Sequence, residues 1–192
     1  RIPYRTAVID GQSGVTYSYD ELNQRVNALA NALRARGVGK GDRVALYLPS
    51  SPDYIVAFFA NAKIGAVSVP LNPMFKRLEL EYILNNCAAR GIIGLGDRLA
   101  ENLLPFLDRF PALRDIVHVG AVVDGAHGAR IVPLGALIDG QDLHFTAIDL
   151  QPEDPVALLY TSGTTGKPKG ALASHDNWVS MAALHAFQVV LM

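Results

Sequence analysis

The residues most able to do chemistry lie together near the end of the sequence: Thr161, Ser162, Gly163, Thr164, Thr165, Gly166, Lys167, Pro168, Lys169 and Gly170. The small side chains leave backbone amides uncovered, the hydroxyls can donate, and two ammonium groups close the stretch. Such a set of donors and cations suits a loop that holds a polyphosphate.

Two simpler readings fit poorly. A Walker loop needs Gly-x-x-x-x-Gly-Lys followed by Ser or Thr, and then a helix. Placing Gly166-Lys167 on its second half puts Thr161 where the first glycine belongs and Pro168 where the metal-binding hydroxyl belongs. A plain surface turn uses one or two glycines, not a run this rich in glycine, hydroxyl and lysine.

The flanking residues define how the loop is held. Residues 156–160 form an apolar run read as a buried strand, and 171–174 read as a second short strand. The expected setting is therefore strand, loop, strand. Asp176 or Ser174 then caps a final helix carrying Trp178, Met181, Leu184 and Phe187, with Trp178 in the core. His175, at a strand end, reads as a cap or packing residue, with a place lining the site as its alternative. His118 and His185 read as structural or surface residues.

Upstream, helices and strands alternate. Short strands at 6–10 and 14–17 surround a turn at Gly11, Ser13 and Gly14. Ser18 and Glu21 form a capping box for a helix that Gly37 ends. A strand at 43–48 precedes a helix that Ser51 caps and Pro52 starts, running to about Ile64. Gly65 stops it, and 66–70 is the next strand. Leu78, Tyr82 and Ile83 share a helical face, and 91–95 is a strand. Residues 99–109 are helical, with Pro105 positioned to kink or shorten the helix, and 115–119 is a strand. Strands separated by helices of this length predict βαβ units in an α/β fold with a mostly parallel sheet and flanking helices.

The organisation then divides the 192 residues into 1–119 of βα repeats, 120–155 as a loop-rich excursion, 156–175 as strand, phosphate loop and strand, and 176–192 as the start of a helix. The excursion carries Gly120, Gly125, Gly128, Gly135 and Gly140, a short strand near Ile131, and a closing Pro152-Glu153-Asp154-Pro155. The first residue is Arg1, and the last are Val189, Val190, Leu191 and Met192 inside an apolar run. Both ends read as cut, so a segment of a longer protein is expected.

Composition narrows the function. Half the residues are apolar, enough for a sizeable core, and the net charge is −1 with both signs interspersed. A nucleic-acid or membrane-surface partner attracted by charge is excluded on that balance. No apolar run approaches a membrane span. Cys87 is the only cysteine, so no internal disulfide forms and a cytoplasmic, reducing location is expected. Its surroundings read as structural rather than reactive. Asp42 and Arg43 read as a turn and a strand start, not a catalytic pair.

The string Leu158-Leu159-Tyr160-Thr161-Ser162-Gly163-Thr164-Thr165-Gly166-Lys167-Pro168-Lys169-Gly170 resembles the phosphate-binding signature of the adenylate-forming, AMP-binding superfamily. That family contains acyl-CoA synthetases, peptide-synthetase adenylation domains and beetle luciferases. The continuation Ala171-Leu172-Ala173-Ser174-His175 is also similar. So are Thr16-Tyr17-Ser18-Tyr19-Asp20-Glu21-Leu22, then Gly41-Asp42-Arg43-Val44-Ala45 with Leu48-Pro49-Ser50-Ser51, and Gly65-Ala66-Val67-Ser68-Val69-Pro70-Leu71-Asn72-Pro73. The resemblance covers nearly the whole chain and is nearest to fatty-acyl and related carboxylate–CoA ligases.

The resemblance implies that 1–192 is the N-terminal portion of the large AMP-binding domain. It implies ATP-dependent activation of a carboxylic acid to an acyl-adenylate, followed by thioester formation with coenzyme A. Thr161, Ser162, Gly163, Thr164, Thr165, Gly166, Lys167 and Lys169 would contact the nucleotide phosphates. Lys169 would be the catalytic, charge-pairing lysine, and Lys167 a mobile one. Removing one donor from a comparable oxyanion site costs about 3–4 kcal/mol. Mg²⁺ would bridge the phosphates, held by a residue beyond Met192. The acyl pocket and the adenine and ribose contacts would also lie beyond Met192, so the segment alone is expected to be inactive. A homodimer is compatible with the family. Two alternatives stand beside this reading: an adenylation module loading a carrier protein, and a non-enzymatic nucleotide-binding or assembly fragment.

Overall fold

The computed structural model describes residues 2–121, 131–161 and 167–190, with side chains described through residue 184. Two strands, β1 (Thr6–Ile9) and β2 (Thr16–Ser18), pair antiparallel as a small sheet of their own. Ser18 then caps α1 (Tyr19–Ala35): its hydroxyl accepts from the Glu21 amide, and the Glu21 carboxylate accepts from the Ser18 amide. The expected capping box is therefore present, and two otherwise orphaned amides are satisfied reciprocally.

A seven-stranded sheet follows. It comprises β3 (Arg43–Tyr47), β4 (Val67–Pro70), β5 (Gly91–Leu95), β6 (Asp115–Val119), β7 (Ile131–Pro133), β8 (Pro155–Thr161) and β9 (Lys169–Ser174). The order is β7-β6-β5-β3-β4-β8-β9, and every neighbouring pair is parallel except β8 with β9. The chain leaves β3 through α2 (Pro52–Lys63) to β4 on one side. It returns through α3 (Arg77–Asn86) to β5 on the other side. Right-handed crossovers running in opposite directions place their helices on opposite faces of a sheet.

The two cores have that arrangement. One joins α1, α2 and the short α5 (Leu134–Ile138) to Val44, Leu46, Ile93, Val117 and Val156. The other joins α3 and α4 (Gly96–Asn102) to Ala45, Tyr47, Val69, Ile92 and Ile116. Alternate residues of β3 thus serve opposite cores, which is why its sequence is a continuous apolar run.

Most boundaries fall where the sequence placed them. Ser51 caps α2 with Pro52 in its first turn, and Gly65 follows with φ +71°. Four differences stand out. The helix expected over 99–109 is α4 followed by a 3₁₀ helix (Leu104–Arg109), because Pro105 supplies no amide and cannot continue the α-helix. On α3, Leu80, Ile83 and Leu84 face the core, while Leu78 is exposed and Tyr82 is half-buried. β9 begins at Lys169, not at 171. Finally, α5 was not expected, since its five residues are too few to display a helical period.

Candidate functional site

The loop residues Ser162, Gly163, Thr164, Thr165 and Gly166 lie outside the described residues, as do Gly125, Gly128 and the side chains of His185 and Phe187. The two strands that carry the loop are described. β8 is buried at Val156 and Ala157 and emerges at Thr161. β9 pairs with it antiparallel, with Tyr160 opposite Gly170 and Thr161 opposite Lys169. The loop therefore connects a hairpin, and a strand rather than a helix follows it, which is incompatible with a Walker arrangement.

β8 is parallel to β4, so the loop stands at the carboxyl edge of the parallel strands. Ligands of open α/β sheets bind along that edge. Lys167 and Lys169 are both exposed there, and the Thr161 hydroxyl donates to the Lys169 carbonyl over a long 3.5 Å. Gly170 permits the hairpin's tight packing. A Cβ at that position would stand 2.9 Å from Leu158 Cδ1 and 3.3 Å from Tyr160 Cζ.

Helix α3 packs behind the hairpin. The Tyr160 hydroxyl donates to Asn86 Oδ1 at 2.5 Å. The Tyr82 hydroxyl donates to the Pro168 carbonyl at 3.1 Å, and Lys167 Nζ lies 5.9 Å from the centroid of the Tyr82 ring. Desolvation, followed by the proximity of Cys87 and Tyr82, pushes the Tyr160 pKa up to about 12. Tyr160 is therefore a proton donor throughout the neutral range. No local pattern announces these contacts, because the partners are 74 and 86 residues apart.

The remaining polar candidates lie elsewhere. Pro155 pairs with Ser174, so His175 falls at the opposite end of the hairpin from the loop. Six strand residues at about 3.4 Å each separate the two ends by roughly 20 Å. Its amide donates to the Asp154 carbonyl at 3.0 Å. Ser174, rather than Asp176, caps α6 (His175–Val190), accepting from the Asn177 amide. Trp178 is half-buried against Phe58 with ring centroids 5.1 Å apart, while Met181 and Leu184 are exposed.

His118 is buried on β6. Arg43 donates to the carbonyls of Cys87, Gly41 and Ala88, at 2.6, 2.9 and 2.9 Å. It is a tie between β3 and the end of α3, as its sequence position implied. Cys87 is buried, and that burial raises its thiol pKa. Among the described residues, no cluster of three or more His, Cys, Asp or Glu could hold a metal ion. No helix among them is long and apolar enough to cross a membrane.

A mostly parallel sheet with a Gly/Thr/Lys hairpin at its carboxyl edge defines a class of proteins. The sequence model of the AMP-binding enzyme family matches residues 1–191, and the chain belongs to that family. It is 35% identical over 180 residues to the medium-chain fatty-acid–CoA ligase of Escherichia coli, covering 92% of this chain and 31% of that protein. It is 37% identical over 176 residues to a feruloyl-CoA synthase of Amycolatopsis, covering 91% of this chain and 31% of that protein. Among solved structures, the anthranilate CoA ligase AuaEII, in complex with anthranoyl-AMP, superposes with a TM-score of 0.81 at 30% identity, covering 91% of this chain and 32% of that one. MatB from Rhodopseudomonas palustris gives 0.79 at 30%, covering 94% and 34%. The chain thus spans about a third of the length of these relatives.

Proposed function

We propose that this chain is the N-terminal portion of the large domain of an ATP-dependent acid–thiol ligase, and that it supplies the grip on the nucleotide's phosphates. The carboxylic acid is fatty or a related acyl acid, activated as an acyl-adenylate and then transferred to coenzyme A. The observation that carries this reading is the hairpin. In a chain of the AMP-binding family, it brings Lys167 and Lys169 to the carboxyl edge of the parallel strands.

In this reading, Thr161, Ser162, Gly163, Thr164, Thr165 and Gly166 direct amides and hydroxyls at the β- and γ-phosphates. Lys169 pairs with the charge that accumulates on departing pyrophosphate. Donors fixed where charge develops lower a barrier without reorganising during the reaction. Lys169 is well suited to that role because its backbone is locked in the ladder opposite Thr161. Lys167 lies outside the ladder, loosely held over the Tyr82 ring, and closes over the nucleotide. Mg²⁺ would supply neutralisation of the phosphate charge, with none of the residues named here assigned as its ligand.

The test uses the protein that carries this chain, with ATP, coenzyme A and a panel of aliphatic and aromatic carboxylates. Carboxylate-dependent pyrophosphate release is expected, and Lys169→Ala should reduce it by about 10²–10³-fold. No carboxylate-dependent release, or full activity in Lys169→Ala, would overturn the reading. The isolated 192-residue chain is expected to release none.

A further inference from the structure

Helix α3 makes two separate polar contacts with the loop-bearing hairpin, one on each arm. Tyr82 and Asn86 are four residues apart and so share a helical face. Asn86 accepts from Tyr160, which immediately precedes 161–170, and Tyr82 donates to the carbonyl of Pro168, near the end of that stretch. Neither contact is needed to close the ladder, which pairs Tyr160 with Gly170 and Thr161 with Lys169 through its own backbone. The core face of α3 is a different one, made by Leu80, Ile83 and Leu84.

We propose that α3 is a clamp that holds the two hairpin arms flanking the phosphate loop, with Tyr82 and Asn86 as positioning residues. The proposal rests on reading 161–170 as that loop. Three observations support it.

The Pro168 carbonyl precedes Lys169, so the Tyr82 hydroxyl fixes the peptide from which Lys169 projects. Pro168 has a restricted φ and no amide to offer the ladder. The Tyr82 bond therefore anchors the descending arm at a position where the backbone cannot anchor itself.

The Tyr82 ring also carries Lys167 on its face at 5.9 Å. That is near the outer limit of about 6 Å for a cation–π contact. One side chain thus holds the backbone of Pro168 firmly and the ammonium of Lys167 loosely. Lys167 is restrained without being committed, as a lysine that later meets a phosphate requires.

On the other arm, the raised Tyr160 pKa keeps its phenol protonated, so the bond to Asn86 persists across the neutral range. Cys87 beneath it is buried and structural.

The test compares Tyr82→Phe, Tyr82→Leu, Asn86→Leu and Asn86→Asp in the protein that carries this chain. Two readouts are needed: amide hydrogen exchange over 161–170, and KM for ATP measured apart from kcat and from KM for the acid. Tyr82→Phe keeps the ring under Lys167 and loses only the bond to Pro168. It should speed exchange in 161–170 and raise KM for ATP about three- to tenfold, the range for one lost hydrogen bond. Exchange in β5 and β6 and KM for the acid should stay unchanged. Tyr82→Leu should be worse than Tyr82→Phe. Asn86→Leu should speed exchange likewise, and Asn86→Asp, which can still accept from Tyr160, should restore it.

The clamp is overturned if Tyr82→Phe and Asn86→Leu leave exchange in 161–170 unchanged. It is equally overturned if they loosen β5 and β6 to the same degree, since the residues would then be general supports. A wild-type protein with no ATP-dependent activity would overturn the proposed function and leave the clamp to be judged on exchange alone.

Discussion

Thr161 and Lys169 face each other as the last cross-strand pair of the β8–β9 hairpin, with the Thr161 hydroxyl directed at the Lys169 carbonyl. The two residues that bracket the candidate phosphate loop therefore move as a unit. A disturbance of the ladder beside them should be transmitted to both ends of the loop.

Gly170, next to Lys169 and opposite Tyr160, is the place to create that disturbance. A methyl there meets Leu158 Cδ1 at 2.9 Å, the end of a side chain that can rotate away, so Gly170→Ala should be mild. A second branch would press on the Tyr160 ring as well. Gly170→Val is expected to destabilise the fold by about 1–3 kcal/mol, the usual cost of overpacking, despite the strand preference of valine. Urea denaturation measures the difference. A Val variant as stable as the wild type would show that the hairpin can open at no cost.

Tyr160 makes a prediction about pH. Its pKa is raised above the ordinary tyrosine value, chiefly by desolvation. A group whose folded pKa is raised contributes stability below its unfolded pKa and loses it as pH climbs through the folded value. The contribution should be intact below about pH 10 and vanish towards about pH 12. Burial also raises Tyr47 and Tyr54, so phenolate absorbance should show several tyrosines titrating late, and Tyr160→Phe should shrink the late phase by one tyrosine. A titration curve identical in the two proteins would contradict the assignment.

Cys87 should be slow to react. Burial raises its pKa, and Arg43, the main opposing influence, spends its guanidinium on the carbonyls of Cys87, Gly41 and Ala88. The thiolate is the reactive form, so both low accessibility and low ionisation retard modification. At mildly alkaline pH, a colorimetric thiol reagent should label the native protein far more slowly than the protein in denaturant. Equal rates in both would mean that the α3 end opens freely.

What the sequence revealed of this structure follows the range of each signal. Ser18 with Glu21, and Ser51 with Pro52, sit within a few residues of what they cap, so α1 and α2 could be read directly. The apolar run 156–160 announced β8, although only Val156 and Ala157 are buried and Leu159 is exposed. Lys169 and Gly170 carry no strand signal of their own; they join β9 because Thr161 and Tyr160 stand opposite. Tyr82 looked like any half-apolar helix position, and its role appears only when Pro168, 86 residues later, is brought beside it. Asn27 is similar: it is a buried polar residue on α1 whose amide donates to the Leu143 carbonyl, 116 residues away, and so ties down the segment after α5.

At the amino edge of the sheet, Asp115 anchors strand β6 to two arginines. Its carboxylate lies 2.7 Å from Arg36 Nε and 3.8 Å from Arg90 Nε, with only 8% of the Asp115 side chain exposed. Arg90 in turn donates to the Arg36 carbonyl at the end of α1 and approaches Asp42 at 3.5 Å. One carboxylate thus links the end of α1 with the starts of β5 and β6. Removing a partner from a fully buried pair costs about 3–5 kcal/mol. Here the arginine side chains are 24% and 30% exposed, so water recovers part of that loss, and Asp115→Ala should cost about 2–3 kcal/mol. Asp115→Asn keeps an acceptor for Arg36 but not the charge and should fall between Ala and the wild type. If the Ala and Asn variants both unfold at the wild-type urea midpoint, the carboxylate is not what holds this edge together.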